Sequence, residues 1–171
     1  RSIDGGNTWV TLRTDSNVNS LGLVPPGSPS SNQIIYAGTW DDGVIKSTNG
    51  GVSWDQSVSG PNGVQCLAVD GANFVLAGTP GGVSKSLDGG ASWAEFTDLR
   101  QKNAWAFAID PSNHAIMYAG LQNGGGVFKS VDHGVSWSEA NNGMSTKNVQ
   151  VLAIDPSNPS NIYAGTFYTG G

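Results

Sequence analysis

Apolar and polar residues alternate along this chain in short runs, each closed by Gly, Pro, Asn or Asp. One run reads "IIYAGT" (34–39), "FVLAGT" (74–79), "IMYAGL" (116–121) and "NIYAGT" (161–166). A second precedes it as "NSLGLVP" (19–25), "QCLAVDG" (65–71), "AFAIDPS" (106–112) and "QVLAIDP" (150–156). Period-two alternation with β-branched and aromatic residues predicts strands. In "VQVLAID", Val149, Val151, Leu152 and Ile154 predict a strand buried on both faces. The Ala-Gly pair ending the first run lets a neighbouring sheet approach closely. "DPSN" (110–113) and "DPSNP" (155–159) are turns, with Pro presetting φ and Asp, Ser and Asn bonding local backbone. No segment carries a capped 3.6-residue period, so essentially no helix is expected.

A third phrase sets the period. "RSIDGGNTW" (1–9), "KSTNGGVSW" (46–54), "KSLDGGASW" (85–93) and "KSVDHGVSW" (129–137) end on Trp9, Trp54, Trp93 and Trp137, at spacings of 45, 39 and 44. Each unit of roughly 40 residues reads strand, turn, strand, loop, strand, tight turn, strand. Units of that size and content predict an all-β fold, a β-propeller of four-stranded antiparallel blades. The competing reading is a β-solenoid, whose repeats are usually shorter. A single domain over 1–171 is expected, with blades at roughly 18–57, 64–96, 103–140, and 148–171 joined with 1–12.

The recurrent phrase reads as a hairpin closure. In its third copy the Asp88 carboxylate can accept turn N–H groups, Gly89 and Gly90 supply positive φ, and the Ser86 and Ser92 hydroxyls add bonds. Trp93 then covers the turn, a burial contributing about 2–3 kcal/mol. The same structural role is assigned to Ser2, Asp4, Gly5 and Trp9, to Ser47, Asn49, Gly50 and Trp54, to Ser86, Asp88, Gly89 and Trp93, and to Ser130, Asp132, His133 and Trp137. A catalytic site needs different groups converging on one point, and a calcium loop needs several oxygens in one turn. These acidic residues instead recur in equivalent places on separate repeats, and Asn49 replaces one of them. His133 stands where the other copies have Gly and reads as a tolerated turn substitution. His114 reads as a surface residue.

Composition narrows the functions. The 171 residues include 25 Gly, and charged residues make up 12%, which suits short strands and tight turns. The net charge of −5, with eight scattered Lys and Arg, argues against nucleic acid as a partner. No run of about 18 apolar residues exists to insert in a membrane as a helix. Cys66 is the sole cysteine and sits in the apolar "VQCLAVD", so it reads as a buried inert thiol. Two His and one Cys give too few ligands for zinc, and neither a metal nor a cofactor is expected. The chain opens on Arg1, which is compatible with a removed leader and with an extracellular or periplasmic setting.

Segments 2–9, 47–54, 86–93 and 130–137 resemble the Asp-box, or BNR repeat. That repeat occurs in sialidases, sortilin-type receptor domains, xyloglucan-active glycoside hydrolases and photosystem II assembly factors. The resemblance implies a propeller, with the box on the turn between third and fourth strands, at the blade periphery and away from the usual binding face. Asn49 and His133 depart from the box. Sialidases use an arginine triad and a tyrosine nucleophile; this chain has only Arg1, Arg13 and Arg100, and Tyr36, Tyr118 and Tyr163 fall at equivalent packing positions.

Binding residues of a propeller concentrate on the loops between second and third strands and between blades. The ligand-binding candidates are therefore Trp40, Asp41 and Asp42 in "TWDDG", Trp105 at the start of an inner strand, and Phe167 and Tyr168 in "TFYTGG". An aromatic beside carboxylates suits stacking on a sugar or peptide face with acceptors for its donors; the competing role is to fill space between blades. Asp41 and Asp42 are adjacent, which rarely gives the cross-cleft separation of a glycosidase pair. The expectation is a non-catalytic binding or scaffold propeller taking protein or glycan, the alternative a piece of a xyloglucanase-like hydrolase. Segments 1–12 and 148–171 together nearly make one blade. They either pair to close a four-blade ring, or the chain is an arc of a larger or oligomeric propeller, a homo-oligomer included.

Overall fold

The computed structural model describes residues 1–12, 16–24, 33–56, 60–96 and 98–167. Fourteen strands and no helix are found among them. They are β1 (Val18–Leu23), β2 (Ile35–Thr39), β3 (Val44–Ser47), β4 (Asp55–Gln56), β5 (Cys66–Asp70), β6 (Phe74–Thr79), β7 (Gly82–Ser86), β8 (Ala94–Glu95), β9 (Ala104–Ile109), β10 (Met117–Leu121), β11 (Gly126–Ser130), β12 (Ser138–Glu139), β13 (Val149–Ile154) and β14 (Ile162–Thr166). Three sheets take the order β1-β2-β3-β4, β5-β6-β7-β8 and β9-β10-β11-β12, and β13 and β14 form a fourth of two strands. Every pairing is antiparallel and joins strands adjacent in sequence.

The hydrophobic core lies between sheets. Tyr36, Val44, Val64 and Val75 pack between the first and second sheets. Leu76, Val83, Met117, Phe128 and Trp137 do so between the second and third. Tyr118, Val127, Val149 and Leu152 join the third to the fourth. The Ala-Gly step makes this spacing possible. A Cβ on Gly38 would stand 2.5 Å from Val64 Cγ1, and one on Gly120 2.6 Å from Val149 Cγ1. No side chain fits between sheets at these points, so glycine sets how closely they stack.

The sheets do not close into a ring. The innermost strands stack in chain order, β1 on β5, β5 on β9 and β9 on β13. Residues 1–12 pack on the first sheet and not on β14: Arg1 Nη1 donates to Gly50 O at 2.9 Å, and Leu12 lies against Gly51. Val151, read in the sequence as buried, is exposed, whereas Val149 and Leu152 are covered. Its face of β13 is the one that a following sheet would cover.

Candidate binding site

The turn between β2 and β3 presents Trp40, Asp41 and Asp42. Thr39 and Gly43 hold it: Thr39 N and Oγ1 both donate to Gly43 O, at 2.8 and 3.0 Å, and Asp42 N donates to Thr39 Oγ1 at 2.9 Å. Gly43 has φ +70°, and a Cβ there would stand 2.7 Å from Pro61 O, so the turn demands glycine. Trp40 N donates to Asn17 O at 3.1 Å, and Trp40 O accepts from Gly63 N at 3.0 Å. The backbone is thus fixed on both sides, while the Trp40 residue stays 49% exposed.

Gly63 borders both the Trp40 ring and Pro80. The sequence did not single out Pro80. It occupies the Trp40 position one repeat later, and only the packing of neighbouring sheets brings the two together. Asn17 Nδ2 donates to Asp41 Oδ2 at 3.1 Å, and Ser16 Oγ donates to Asp42 Oδ2. Both carboxylates are held locally beside the indole. Further along this face, Pro61, Asn62, Thr79 and Gly81 border a pocket of about 130 Å³ that Glu95 and Arg100 also line. The last two approach to 3.6 Å, both largely exposed. That volume is well below the ~300–1,000 Å³ of an enclosed small-molecule site. The geometry suits a ligand lying across a surface, with an indole to stack on and acceptors beside it.

The remaining candidates are not gathered here. Trp105 stands on β9 in the third sheet, partly exposed, and Phe167 follows β14 in the fourth. Phe167 holds the Trp40 position of its repeat: its N donates to Asn148 O at 2.8 Å, as Trp40 N does to Asn17 O. The aromatics mark one face of the array and not one pocket. Tyr168 lies outside the described residues.

The four recurrent turns share one internal network. In the third, Ser86 Oγ donates to Asp88 Oδ1 at 2.8 Å and accepts from Gly90 N at 2.7 Å, while Ser92 N and Oγ donate to the two carboxylate oxygens at 2.8 and 2.5 Å. Asp4 with Ser2 and Thr8, and Asp132 with Ser130 and Ser136, repeat it. These hydroxyl and N–H donors, those of Thr8 and Ser92 first, lower the Asp4 and Asp88 pKa from 3.8 to about 2, and Ser136 with its neighbours lowers that of Asp132 further. At Asn49 the polarity inverts, because its Nδ2 donates to Ser53 Oγ at 2.8 Å. In each turn the donors come from within the turn itself. Trp9 is 75% exposed, against 7% for Trp137, so its expected burial does not occur. Burial raises the Cys66 thiol to about 12.

One cluster escaped the sequence reading. His114 Nδ1 donates to Asp70 Oδ1 at 2.6 Å and His133 Nε2 to Asp70 Oδ2 at 3.0 Å. His133 has φ +60°, matching +72° at Gly50 and +70° at Gly89, and its ring lies 4.8 Å from that of Phe74. It is therefore a left-handed turn residue with contacts to the preceding sheet. A signal was present: Asp110 and Asp155 each have a Ser two residues on that bonds the carboxylate, while Asp70 has Ala72 there. Its oxygens are left to reach the next sheet. Among the described residues no group of three or more His, Cys, Asp or Glu is placed to hold a metal ion.

No protein-family model and no curated protein matches the sequence. Solved structures do. An ancestral GH74 enzyme is 27% identical over 92% of this chain and 23% of its own, with a TM-score of 0.73. The GH74 xyloglucanase from Xanthomonas campestris is 19% identical over 78% of this chain and 24% of its own, at 0.63. YCF48 bound to D1 peptide is 16% identical over 88% and 47%, at 0.60. The fold is a β-propeller. The sheets are its blades, and the chain spans about a quarter of the length of the two GH74 proteins. In blade terms, Trp40 and Phe167 follow the second strand of the first and last blades, and the recurrent turns join third to fourth strands.

Proposed function

We propose that this chain is a non-catalytic binding propeller that takes protein or glycan on the loop face around Trp40. The observation that carries the reading is the half-exposed indole on a backbone fixed by Asn17 and Gly63, next to Pro80 and two locally held carboxylates. Such a platform can stack on a sugar ring or a prolyl or aromatic peptide side chain, with Asp41 accepting from hydroxyls or amides. A peptide-bound YCF48 among the structural neighbours supports the protein option, and the GH74 neighbours support the glycan option. The four recurrent turns, which resemble the Asp-box, are read as structural closures of the outer hairpins, since the side chains of their Asp or Asn and of the hydroxyl residues around it bond within the turn.

Glycan and peptide arrays, followed by titration of the strongest binder, test the proposal. Trp40→Ala is expected to weaken that binder about tenfold or more, the equivalent of ~1.4 kcal/mol, while far-UV spectrum and melting temperature stay put. Silence on both arrays, or binding indifferent to Trp40→Ala, would sink it. A second reading is favoured by the 27% identity to a GH74 enzyme over nearly all of this chain: it is one part of a xyloglucan-active hydrolase. Release of reducing ends from xyloglucan by this chain would select that reading; binding without turnover selects the first.

A further inference from the structure

Lysines of this chain are seated on aromatic rings. Lys46 Nζ lies 5.3 Å from the centroid of the Tyr36 ring, Lys85 Nζ 4.8 Å from that of Phe96, Lys102 Nζ 5.1 Å from that of Phe128 and Lys129 Nζ 5.5 Å from that of Tyr118. The face of such a ring carries negative potential and holds a cation, and an indole does so best. Trp40 presents an indole on the loop face. Among the described residues it has no Lys or Arg over it.

The residue after it has a carboxylate oxygen to spare. Asp41 is exposed, and its Oδ2 accepts from Asn17 Nδ2 at 3.1 Å. Among the described residues its Oδ1 has no partner, and no ion pair involves Asp41. The backbone groups around the indole are already spent on the fold. Trp40 N donates to Asn17 O, Gly63 N to Trp40 O, and Asp42 N to Thr39 Oγ1. Pro80 adds an apolar surface on the other side of Gly63.

This position stays open where a blade has neighbours on both sides. Pro80 holds it in the second blade and is exposed, and Gln122 holds it in the third and is partly exposed. The groups that border Trp40, Gly63 and Pro80, belong to the second blade and are in place.

The ligands that stack on an indole differ in what they ask of its surroundings. A sugar hydroxyl both donates and accepts, whereas a guanidinium only donates, through five N–H groups in a planar fork. It lies flat on an aromatic face while its edge bonds a carboxylate, which the compact ammonium of lysine does less well. The bond to the carboxylate is charge-assisted. The methylene stem covers apolar surface, here that of Pro80.

We infer, on the reading of the Trp40 loops as the binding face, that Trp40 and Asp41 form a subsite for an arginine side chain of a protein partner. The guanidinium stacks on the indole and donates to Asp41 Oδ1, and the stem lies toward Pro80. The partner is a basic protein segment and not a glycan.

Peptides of Gly and Ser carrying arginine, lysine or citrulline test this, citrulline keeping the shape of arginine without its charge. They are titrated into isotopically labelled chain, and binding is read from amide shifts, the Trp40 indole N–H among them. The arginine peptide is expected to bind tightest and the citrulline peptide about tenfold more weakly, the loss of a charge-assisted hydrogen bond. Asp41→Asn is expected to cost the arginine peptide a similar factor and to flatten the weakening of its binding with salt. Trp40→Ala is expected to weaken it as well. Asp55→Asn, the same change of charge on exposed β4, is expected to leave it alone. Equal binding of arginine and citrulline peptides overturns the inference. So does an equal loss from Asp41→Asn and Asp55→Asn, which marks attraction to acidic surface at large. Glycans or uncharged peptides that depend on Trp40 but not on Asp41, with the arginine peptide unbound, overturn it and leave the loop-face reading standing. Binding of neither peptides nor glycans overturns both.

Discussion

Asp88 and Asn49 stand at the same place in two turns and meet its hydrogen bonding with opposite polarity. The carboxylate accepts from Ser92 Oγ, whereas the Asn49 amide donates to Ser53 Oγ. A serine hydroxyl can serve either partner, because it rotates to donate or accept. The turn therefore requires a planar polar group of this size more than it requires a charge. Charge shows itself in acid. The Asp4 and Asp88 pKa values are lowered in the folded chain from 3.8 to about 2. A group lowered by folding contributes stability above its unfolded pKa and loses it as pH falls through the folded value. These turns are thus expected to weaken from just under pH 4 down to about pH 2. Replacing Asp4, Asp88 and Asp132 together by Asn should leave the melting temperature near pH 7 within a few degrees of wild type and flatten its fall below pH 4. An unchanged acid limb in thermal scans would show that the turns do not drive it. The role of these turns was legible in the sequence because four copies could be laid side by side. The partner of His133 was not, because Asp70 lies on another blade and their approach depends on how blades stack.

Glycine decides packing at the level of the strand. Gly78 lies between Ala77 and Thr79 on β6, against Cys66 Sγ and the innermost strand of the next blade. A Cβ there would stand 2.9 Å from Ala104 O and 3.0 Å from Ala104 Cβ, and the first of these is backbone that cannot swing aside. Gly78→Ala is therefore expected to destabilise by about 1–3 kcal/mol, the usual cost of overpacking, read as a lower urea midpoint with the slope retained. Gly71→Ala serves as the comparison for backbone strain, since a Cβ there meets nothing within 4 Å although φ is +71°. Equal losses from the two would mean that stacking distance is not what Gly78 controls. The elements themselves were readable. The alternation that predicts β2, β6, β10 and β14 comes from strands that hold the same place, second in their sheets, so the same apolar-Ala-Gly order recurs. The fourth strands were read from the phrase that precedes them. They are only two residues long, as at Ala94–Glu95, and exposed, so no pattern of their own marks them. Trp40 was readable as a loop aromatic. Its neighbour Pro80 was not, since an apolar residue at a turn says nothing about the blade beside it.

Across the whole molecule, stability is shared between neighbours, because each blade buries its faces only against the ones before and after it. β6 has both: its six residues are all buried, between Tyr36 and Val44 of the first blade on one side and Met117 and Phe128 of the third on the other. β14 has a neighbour on one side, and four of its five residues are exposed. Opening free energies in such an array should fall from the middle to the ends, since an end blade detaches by losing one interface and a middle blade only by losing two. Amide exchange followed by mass spectrometry on dilute chain is expected to find β6 and β10 slowest, β1 intermediate and β14 fastest. The placing of β1 follows from Asn19 and Ser20, whose side chains bond the backbone of Val64 and Leu67 and tie that strand to the second blade. If β14 exchanges as slowly as β6 in dilute solution, its outer face is already covered within a single chain, and the unclosed order of blades does not describe the molecule.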